Sequence, residues 1–307
     1  MSTTKHWKGI SVLLTAALSI ASFAATSARA AEPVTTTVTA VGKKNSAPAP
    51  VKKEDVELYS GKERLQVADW RRGETLFLAV LIDDSLDQNI ASQWSDLREF
   101  FLAQPPTTYI GVFYGRNGTA MLAQDFTKDH ELAGKALRIP LGGFGAFSSP
   151  YLSLQDLIKR LPGDGQRRSI VVISSGIDYF RGNFGPTSPD LDSTIERAQK
   201  SNVNVWTLYA PDSGHRGRGF FRASRGQAEL SQLSEETGAE SYYLGTGEPV
   251  TLKSYFEEIA THLNNQYLLS FEGSGGKKGR FERVRVHTEL PGVEFMNASL
   301  AFLPKSQ

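Results

Sequence analysis

The longest unbroken apolar run in the chain outside its N-terminal segment covers residues 76–82 (LFLAVLI). A run of this length, rich in leucine, valine and isoleucine, predicts a strand that is buried on both faces of a sheet. The run leads directly into Asp83, Asp84, Ser85 and Asp87. Because open α/β sheets bind their ligands at the carboxyl ends of the strands, this acidic tip is a candidate functional site.

The chain alternates between buried strands and amphipathic helices from residue 76 to residue 265. Apolar runs at 169–174 and 203–209 predict two more strands. Apolar side chains recur at helical spacing over residues 90–101, 152–161, 191–201 and 252–264. This alternation predicts an α/β fold with a doubly wound, mostly parallel sheet flanked by helices.

The pattern changes to a period of two after residue 266, which is typical of strands with one buried face. Two short strand-like segments also flank a turn within residues 56–68. We expect these two parts of the chain to pair in a small β subdomain beside the main sheet.

The first 30 residues have the pattern of a signal peptide. Lys5 and Lys8 precede an apolar stretch, and the small residues of 28–30 (ARA) follow it. This pattern predicts cleavage between Ala30 and Ala31. The mature protein is therefore expected to be periplasmic or secreted, with no membrane span after the cleavage.

Composition divides the chain into five predicted segments. After the signal peptide comes a stretch rich in threonine, alanine, proline and lysine, which predicts a disordered linker. The segments are the signal peptide (1–30), the linker (31–54), an N-terminal β segment (55–72), the α/β domain (73–265) and a C-terminal β tail (266–307).

Charge and cysteine content exclude several classes of function. The formal net charge of +1 argues against nucleic acid as the main partner. The chain has no cysteine, so it has no disulfide, thiol nucleophile or cysteine-ligated metal. His130, His215, His262 and His287 lack the spacing of metal ligands and are expected on the surface or on helix faces.

The order of these elements resembles the von Willebrand factor type A (VWA) domain over residues 76–265, and in particular the VWFA-related exported bacterial proteins. The resemblance is carried by the strand that ends in Asp83-Asp84-Ser85, a following hairpin (IGVFYG…AMLAQDFT), a strand that ends in SSGID, and the strand NVNVWTLYAP. It implies a VWA/Rossmann-like sheet.

The resemblance also implies a metal-ion-dependent adhesion site, with altered residues. In the family, the first loop reads Asp-x-Ser-x-Ser, the second loop gives a Thr, and the third gives an Asp before a Gly. The matching positions here, which would be the metal ligands, are Asp83, Ser85, Asp87, Ser149 (or Ser148, by a shift of one residue) and Ser175. Asp178 matches a second acid of the third loop.

Two interpretations of the acidic tip remain open at this stage. Mg²⁺ or Ca²⁺ prefers carboxylate oxygens, and Asp87 replaces the charge that is lost where Ser175 stands in place of an acid. Alternatively, residues 83–87 form a hydrogen-bonded turn between strand and helix, which caps the helix from Asn89.

The resemblance implies a non-catalytic protein-binding module that docks a protein partner on the rim of 83–87, 142–149 and 175–186. A basic loop at 211–225 adds Arg216, Arg218 and Phe220 as candidate binding residues. The alternatives are a structural envelope module without a ligand and a metal-assisted hydrolase. The hydrolase lacks a visible pair of nucleophile and base.

Overall fold

The computed structural model describes Met1 and residues 33–43, 48–143, 145, 147–180, 188–213, 219–243 and 251–305. The chain divides after Ala30 into two units, and the fold below belongs to the second. Among the described residues, no helix has both the length and the apolar character needed to cross a membrane.

A six-stranded sheet forms the centre of the α/β part. Its strands are β5 (Leu76–Asp83), β6 (Thr108–Arg116), β7 (Thr119–Thr127), β8 (Arg167–Ser174), β9 (Asn204–Tyr209) and β10 (Ser241–Tyr242). Their order in space is β10-β9-β8-β5-β6-β7, and every pair is parallel except the hairpin β6–β7. The predicted α/β fold with a mostly parallel sheet is confirmed.

Six α-helices in the described part of the chain cover the two faces of this sheet. They are α1 (Trp94–Leu102), α2 (His130–Lys135), α3 (Pro150–Arg160), α4 (Pro189–Lys200), α5 (Phe220–Glu236) and α6 (Lys253–Asn264). Leu78, Val80 and Ile82 of β5 pack in the core shared with α1, α2 and α6. Ala79 and Leu81 face the core shared with α3, α4 and α5. The run 76–82 is continuously apolar because both faces of β5 are covered.

Two four-stranded antiparallel sheets form a β subdomain. One has the order β13-β1-β11-β4 and the other β14-β12-β2-β3. Their strands are β1 (Pro33–Gly42), β2 (Glu57–Ser60), β3 (Glu63–Leu65), β4 (Val67–Arg72), β11 (Gln266–Glu272), β12 (Arg280–His287), β13 (Val293–Asn297) and β14 (Leu300–Leu303). Residues of both sheets share one hydrophobic core. The predicted pairing of the N-terminal strands with the tail is confirmed, because β2 pairs with β12 and β4 pairs with β11.

The prediction of a disordered linker over 31–54 is wrong for its first half. Residues 33–42 form β1, which lies between β11 and β13. Thr36, Thr37 and Thr39 are buried there together with Val38. Threonine is β-branched and packs well in a sheet, so a threonine-rich stretch that looks polar and aperiodic can still form a central strand.

The start of α5 also differs from the sequence prediction. The stretch 211–225 was expected to be a loop, but the helix already begins at Phe220. Arginine is a good helix former, so a high arginine content is compatible with a helix as well as with a loop.

Candidate functional site

Asp83, the last residue of β5, is the centre of a compact hydrogen-bonded cluster. The backbone N–H and the hydroxyl of Ser85 donate to Oδ1 of Asp83 at 3.0 and 2.7 Å. The hydroxyl of Ser174, the last residue of β8, donates to Oδ2 of Asp83 at 2.8 Å. The carboxylate of Asp83 is thus buried and accepts three hydrogen bonds from the protein itself.

The surroundings of Asp83 disfavour its charged form. Burial raises the pKa of Asp83 above its ordinary value, the hydrogen bonds from Ser85 and Ser174 oppose this rise, and the negative charge of Asp212 adds to it. Asp83 is therefore held by neutral donors, and a second acid lies near enough to repel it.

Asp84, the next residue, fixes a neighbouring loop to the end of β5. Arg138 donates to both of its carboxylate oxygens, at 2.7 and 3.1 Å, and the N–H of Leu141 donates to Oδ1 at 2.9 Å. Burial would raise the pKa of Asp84, but Arg138 and Leu141 outweigh it, so the pKa of this carboxyl lies below its ordinary value. The guanidinium of Arg138 also lies over the ring of Tyr114, 3.8 Å from its centroid.

The second and third predicted loops meet through Ser149 and Asp178. The hydroxyl of Ser149 donates to Oδ2 of Asp178 at 3.0 Å and accepts from the N–H of Leu152, so it caps the N-terminus of α3. The N–H groups of Tyr179 and Phe180 both donate to the carbonyl oxygen of Ser148. These contacts hold residues 147–149 against residues 178–180.

Asp87 and Ser175 use their side chains within their own turns. Oδ1 of Asp87 accepts from the N–H of Asn89 at 3.0 Å and caps the 3-10 helix Gln88–Gln93, as the capping interpretation predicted. The hydroxyl of Ser175 accepts from the N–H of Ile177 at 3.4 Å. Of the five predicted ligands, Asp83 and Ser85 are thus joined through their side chains, whereas the side chains of Asp87, Ser149 and Ser175 hydrogen bond to other groups.

Ser175 lies beneath helix α5. A Cβ added at Gly226 would stand 2.1 Å from the carbonyl oxygen of Ser175, so only glycine permits this close approach. Gly176 has a φ of +69°, and its own Cβ would meet the carbonyl oxygen of Gly226 at 2.4 Å. The turn after β8 and the helix α5 thus pack backbone against backbone.

Three site residues, Ser174, Arg138 and Asp212, are not among the candidates of the sequence analysis. Ser174 contacts Asp83, whereas the family resemblance identifies its neighbour Ser175 as the site residue. Arg138 holds Asp84, and the hydroxyl of Tyr179 donates to the buried carboxylate of Asp212, which follows β9. Ser174 and Asp212 both stand at the ends of strands, which was the one signal that could have identified them.

Large apolar side chains are exposed on the loops around this cluster and at the start of α5. Phe147 and Phe180 pair with their ring centroids 5.3 Å apart, and Phe147 is 57% exposed. Phe220, a predicted binding residue, is 71% exposed. Arg216 and Arg218 lie outside the described residues. We call the exposed set the apolar rim group; its members are Ile139, Leu141, Phe147, Phe180, Phe220 and Phe221.

Comparisons with known proteins identify similar solved structures. No protein-family model matches the chain, and no curated protein matches it in sequence. A von Willebrand factor type A protein from Catenulispora acidiphila has 10% identity and a TM-score of 0.45 over 91% of this chain and 75% of its own. An aerotolerance-related membrane protein from Bacteroides fragilis has 15% identity and a TM-score of 0.44 over 62% of this chain and 98% of its own.

A minor pilin, PilB from Streptococcus sanguinis, has 13% identity and a TM-score of 0.41 over 63% of this chain and 62% of its own. Structural neighbours of the chain thus include von Willebrand factor type A domains. Similarity at this level says nothing about function, so the functional argument depends on the residues of the site.

Proposed function

We propose that the protein is a non-catalytic interaction module that binds a protein partner through the apolar rim group. The exposure of these six large apolar side chains, which lie between α2 and α3, after β8 and at the start of α5, is the observation that carries the proposal. Phenylalanine is enriched in protein–protein interfaces relative to the rest of the protein surface. Burying these side chains against a partner would contribute about 25 cal/mol per Å² of apolar surface.

Hydrogen bonds hold the described residues around Ile139, Leu141, Phe147 and Phe180, which favours binding with a small loss of entropy at these positions. Asp84 and Arg138 fix the loop of Ile139 and Leu141. The contacts of Ser148 with Tyr179 and Phe180 fix the pair Phe147 and Phe180.

We further propose that this binding requires neither Mg²⁺ nor Ca²⁺. A divalent hard cation needs several oxygen ligands that converge on one point. Asp83 is instead satisfied by three protein donors, while Asp87 and Ser175 serve their own turns. These hydrogen bonds support a docking that does not depend on a metal ion.

Thermal melting tests this part of the proposal. We expect no shift of the melting temperature in millimolar Mg²⁺, Mn²⁺ or Ca²⁺, either for the natural chain or for Ser175→Asp, because the new carboxylate would lie beneath α5. A melting temperature of the natural chain that rises with cation concentration as RT ln(1 + [L]/Kd) would contradict it.

The serines of the site support a non-catalytic role. Ser85 and Ser174 hydrogen bond to Asp83, and Ser149 hydrogen bonds to Asp178. A serine nucleophile needs a base such as histidine to accept its proton, and an aspartate holds that position here.

We also propose export to the periplasm or the medium, which the pattern of residues 1–30 supports.

Site-specific photo-cross-linking in the producing cells tests the docking proposal. A photoreactive amino acid placed at Phe147 or Leu141 is expected to give the same discrete protein adduct. Leu102 is the matched control, because it is equally exposed (57%) but lies at the carboxyl end of α1, near the opposite end of the sheet. The proposal is contradicted if the rim positions give no adduct, or if Leu102 gives the same adduct.

A further inference from the structure

Glu240, Glu258 and His262 form a cluster beside the edge strand β10, away from the loops of the docking site. Glu240 directly precedes β10, and Glu258 and His262 lie on α6. Their four-residue spacing places these two side chains on the same face of the helix, one turn apart. One potential ligand atom from each of the three residues lies within 4.8 Å of the others.

The imidazole of His262 is deeply buried and poorly satisfied by hydrogen bonds. The residue is 1% exposed, and its ring stacks on Trp206 with the centroids 5.4 Å apart. Nδ1 points towards the glutamates, with Oε2 of Glu240 at 3.8 Å and the hydroxyl of Tyr242 at 3.5 Å. Nε2 has no hydrogen-bond partner among the residues that the structure describes. The nitrogen that faces the cluster is Nδ1, whose two contacts are both long, so a closer partner can be accommodated there.

We propose that Glu240, Glu258 and His262 bind a divalent transition-metal ion of the zinc class. One imidazole nitrogen and two carboxylate oxygens are the donor types that Zn²⁺ accepts, and a fourth position would remain for water. Small side-chain movements would bring the ligand atoms to the usual distances of about 2.0–2.2 Å from the ion.

The surroundings of the cluster suit such an ion. The hydroxyl of Tyr242 donates to Oε2 of Glu240 at 2.9 Å, the kind of second contact that orients a metal ligand. The side chain of Glu240 is 37% exposed, so an ion can reach the site from solvent. The two carboxylates lie close enough to repel each other, and a cation bound between them would reduce this repulsion.

Titration of the full chain with Zn²⁺ after dialysis against a chelator tests the site. We expect one saturable equivalent by calorimetry and a rise of the melting temperature with Zn²⁺ concentration. Glu258→Gln and Glu240→Gln keep the side-chain shape but remove a charged ligand, so each is expected to weaken the affinity by at least about tenfold. Glu257→Gln is the matched control, because Glu257 is the exposed neighbour on the same helix.

Co²⁺ provides a second readout that does not depend on stability. The natural chain is expected to give the visible absorption of Co²⁺ bound by nitrogen and oxygen, and His262→Gln is expected to lose it while the exposed His287→Gln keeps it. The proposal is overturned if no stoichiometric equivalent binds, if Glu257→Gln weakens binding as much as Glu258→Gln, or if a folded His262→Gln retains the full Co²⁺ spectrum.

Discussion

Asp84 is the residue that links the central strand to the proposed docking loops. It is 1% exposed, whereas its partner Arg138 is 41% exposed, so the ion pair lies at the boundary between core and solvent. An exposed salt bridge contributes little to stability, but a buried carboxylate that loses its donors costs more. The contribution of Asp84 therefore comes mainly from satisfying a buried charge.

Replacement of Asp84 by asparagine is expected to lower the free energy of unfolding by about 2 kcal/mol at pH 7, because a charged hydrogen-bonded pair is lost. Asp87→Asn is the control and is expected to have little effect, because asparagine caps a helix as well as aspartate does. Urea unfolding of the three proteins measures both values.

The pH dependence of this difference follows from the pKa of Asp84, which folding lowers from 3.8. The unfolded state then binds the proton first, so the stabilisation is fully present above the unfolded pKa and disappears as the pH falls through the folded pKa. The gap between the natural chain and Asp84→Asn is expected to shrink below about pH 4. A gap that stays constant to the lowest pH at which the protein folds would contradict this account.

At the scale of elements, the packing of α5 on the turn after β8 is the tightest contact near the site. In an ordinary helix, glycine to alanine stabilises by about 1 kcal/mol. Gly226→Ala is expected to do the opposite and cost about 2 kcal/mol, because the new methyl group meets the carbonyl oxygen of Ser175.

Chemical denaturation of Gly226→Ala and of Ser224→Ala, an exposed position on the same helix, checks this prediction. Ser224→Ala is expected to stay within about 0.5 kcal/mol of the natural chain. A Gly226→Ala protein that is more stable than the natural chain would show that α5 does not approach the turn so closely.

The elements also show which parts of the fold the sequence could predict. β5 was evident because both of its faces are buried, so its residues are continuously apolar. β1 was missed because its pairing with β11 joins residues more than 200 positions apart, and its threonines gave no alternation. Local patterns identify elements, whereas distant pairing partners are visible only in the fold.

The contacts of the candidate site likewise divide into local ones, which the sequence predicts, and distant ones, which it does not. The contact of Asp83 with Ser85 spans two residues and follows from the sequence. Arg138 is 54 residues from Asp84, and Ser174 is 91 residues from Asp83, so only the tertiary structure brings them together. The family resemblance places Ser175 at the ligand position of the third loop. The hydroxyl that contacts Asp83 belongs to Ser174, one residue earlier.

At the scale of the whole molecule, the β subdomain depends on both ends of the described chain. β1 is a central strand of its sheet, and Val38 is fully buried in the core shared by the two sheets. Val38→Asp is therefore expected to cost at least about 3 kcal/mol, because it places an unpaired charge in that core.

Ala49→Asp is the matched control within the same segment, because Ala49 is exposed, and it is expected to change stability by less than about 0.5 kcal/mol. Thermal melting followed by circular dichroism compares the two variants. Equal melting temperatures would mean that residues 33–42 behave as the linker that the sequence suggested.

The central claim, that a partner docks on the apolar rim group without a metal ion, is tested most directly by an affinity measurement. The partner identified by cross-linking is titrated onto the natural chain, Phe147→Asp and Leu102→Asp, each with a chelator and with millimolar Mg²⁺. We predict that Phe147→Asp binds at least about tenfold more weakly, that Leu102→Asp binds like the natural chain, and that the chelator changes nothing. Equal losses in Phe147→Asp and Leu102→Asp, or binding that the chelator abolishes, would contradict the claim.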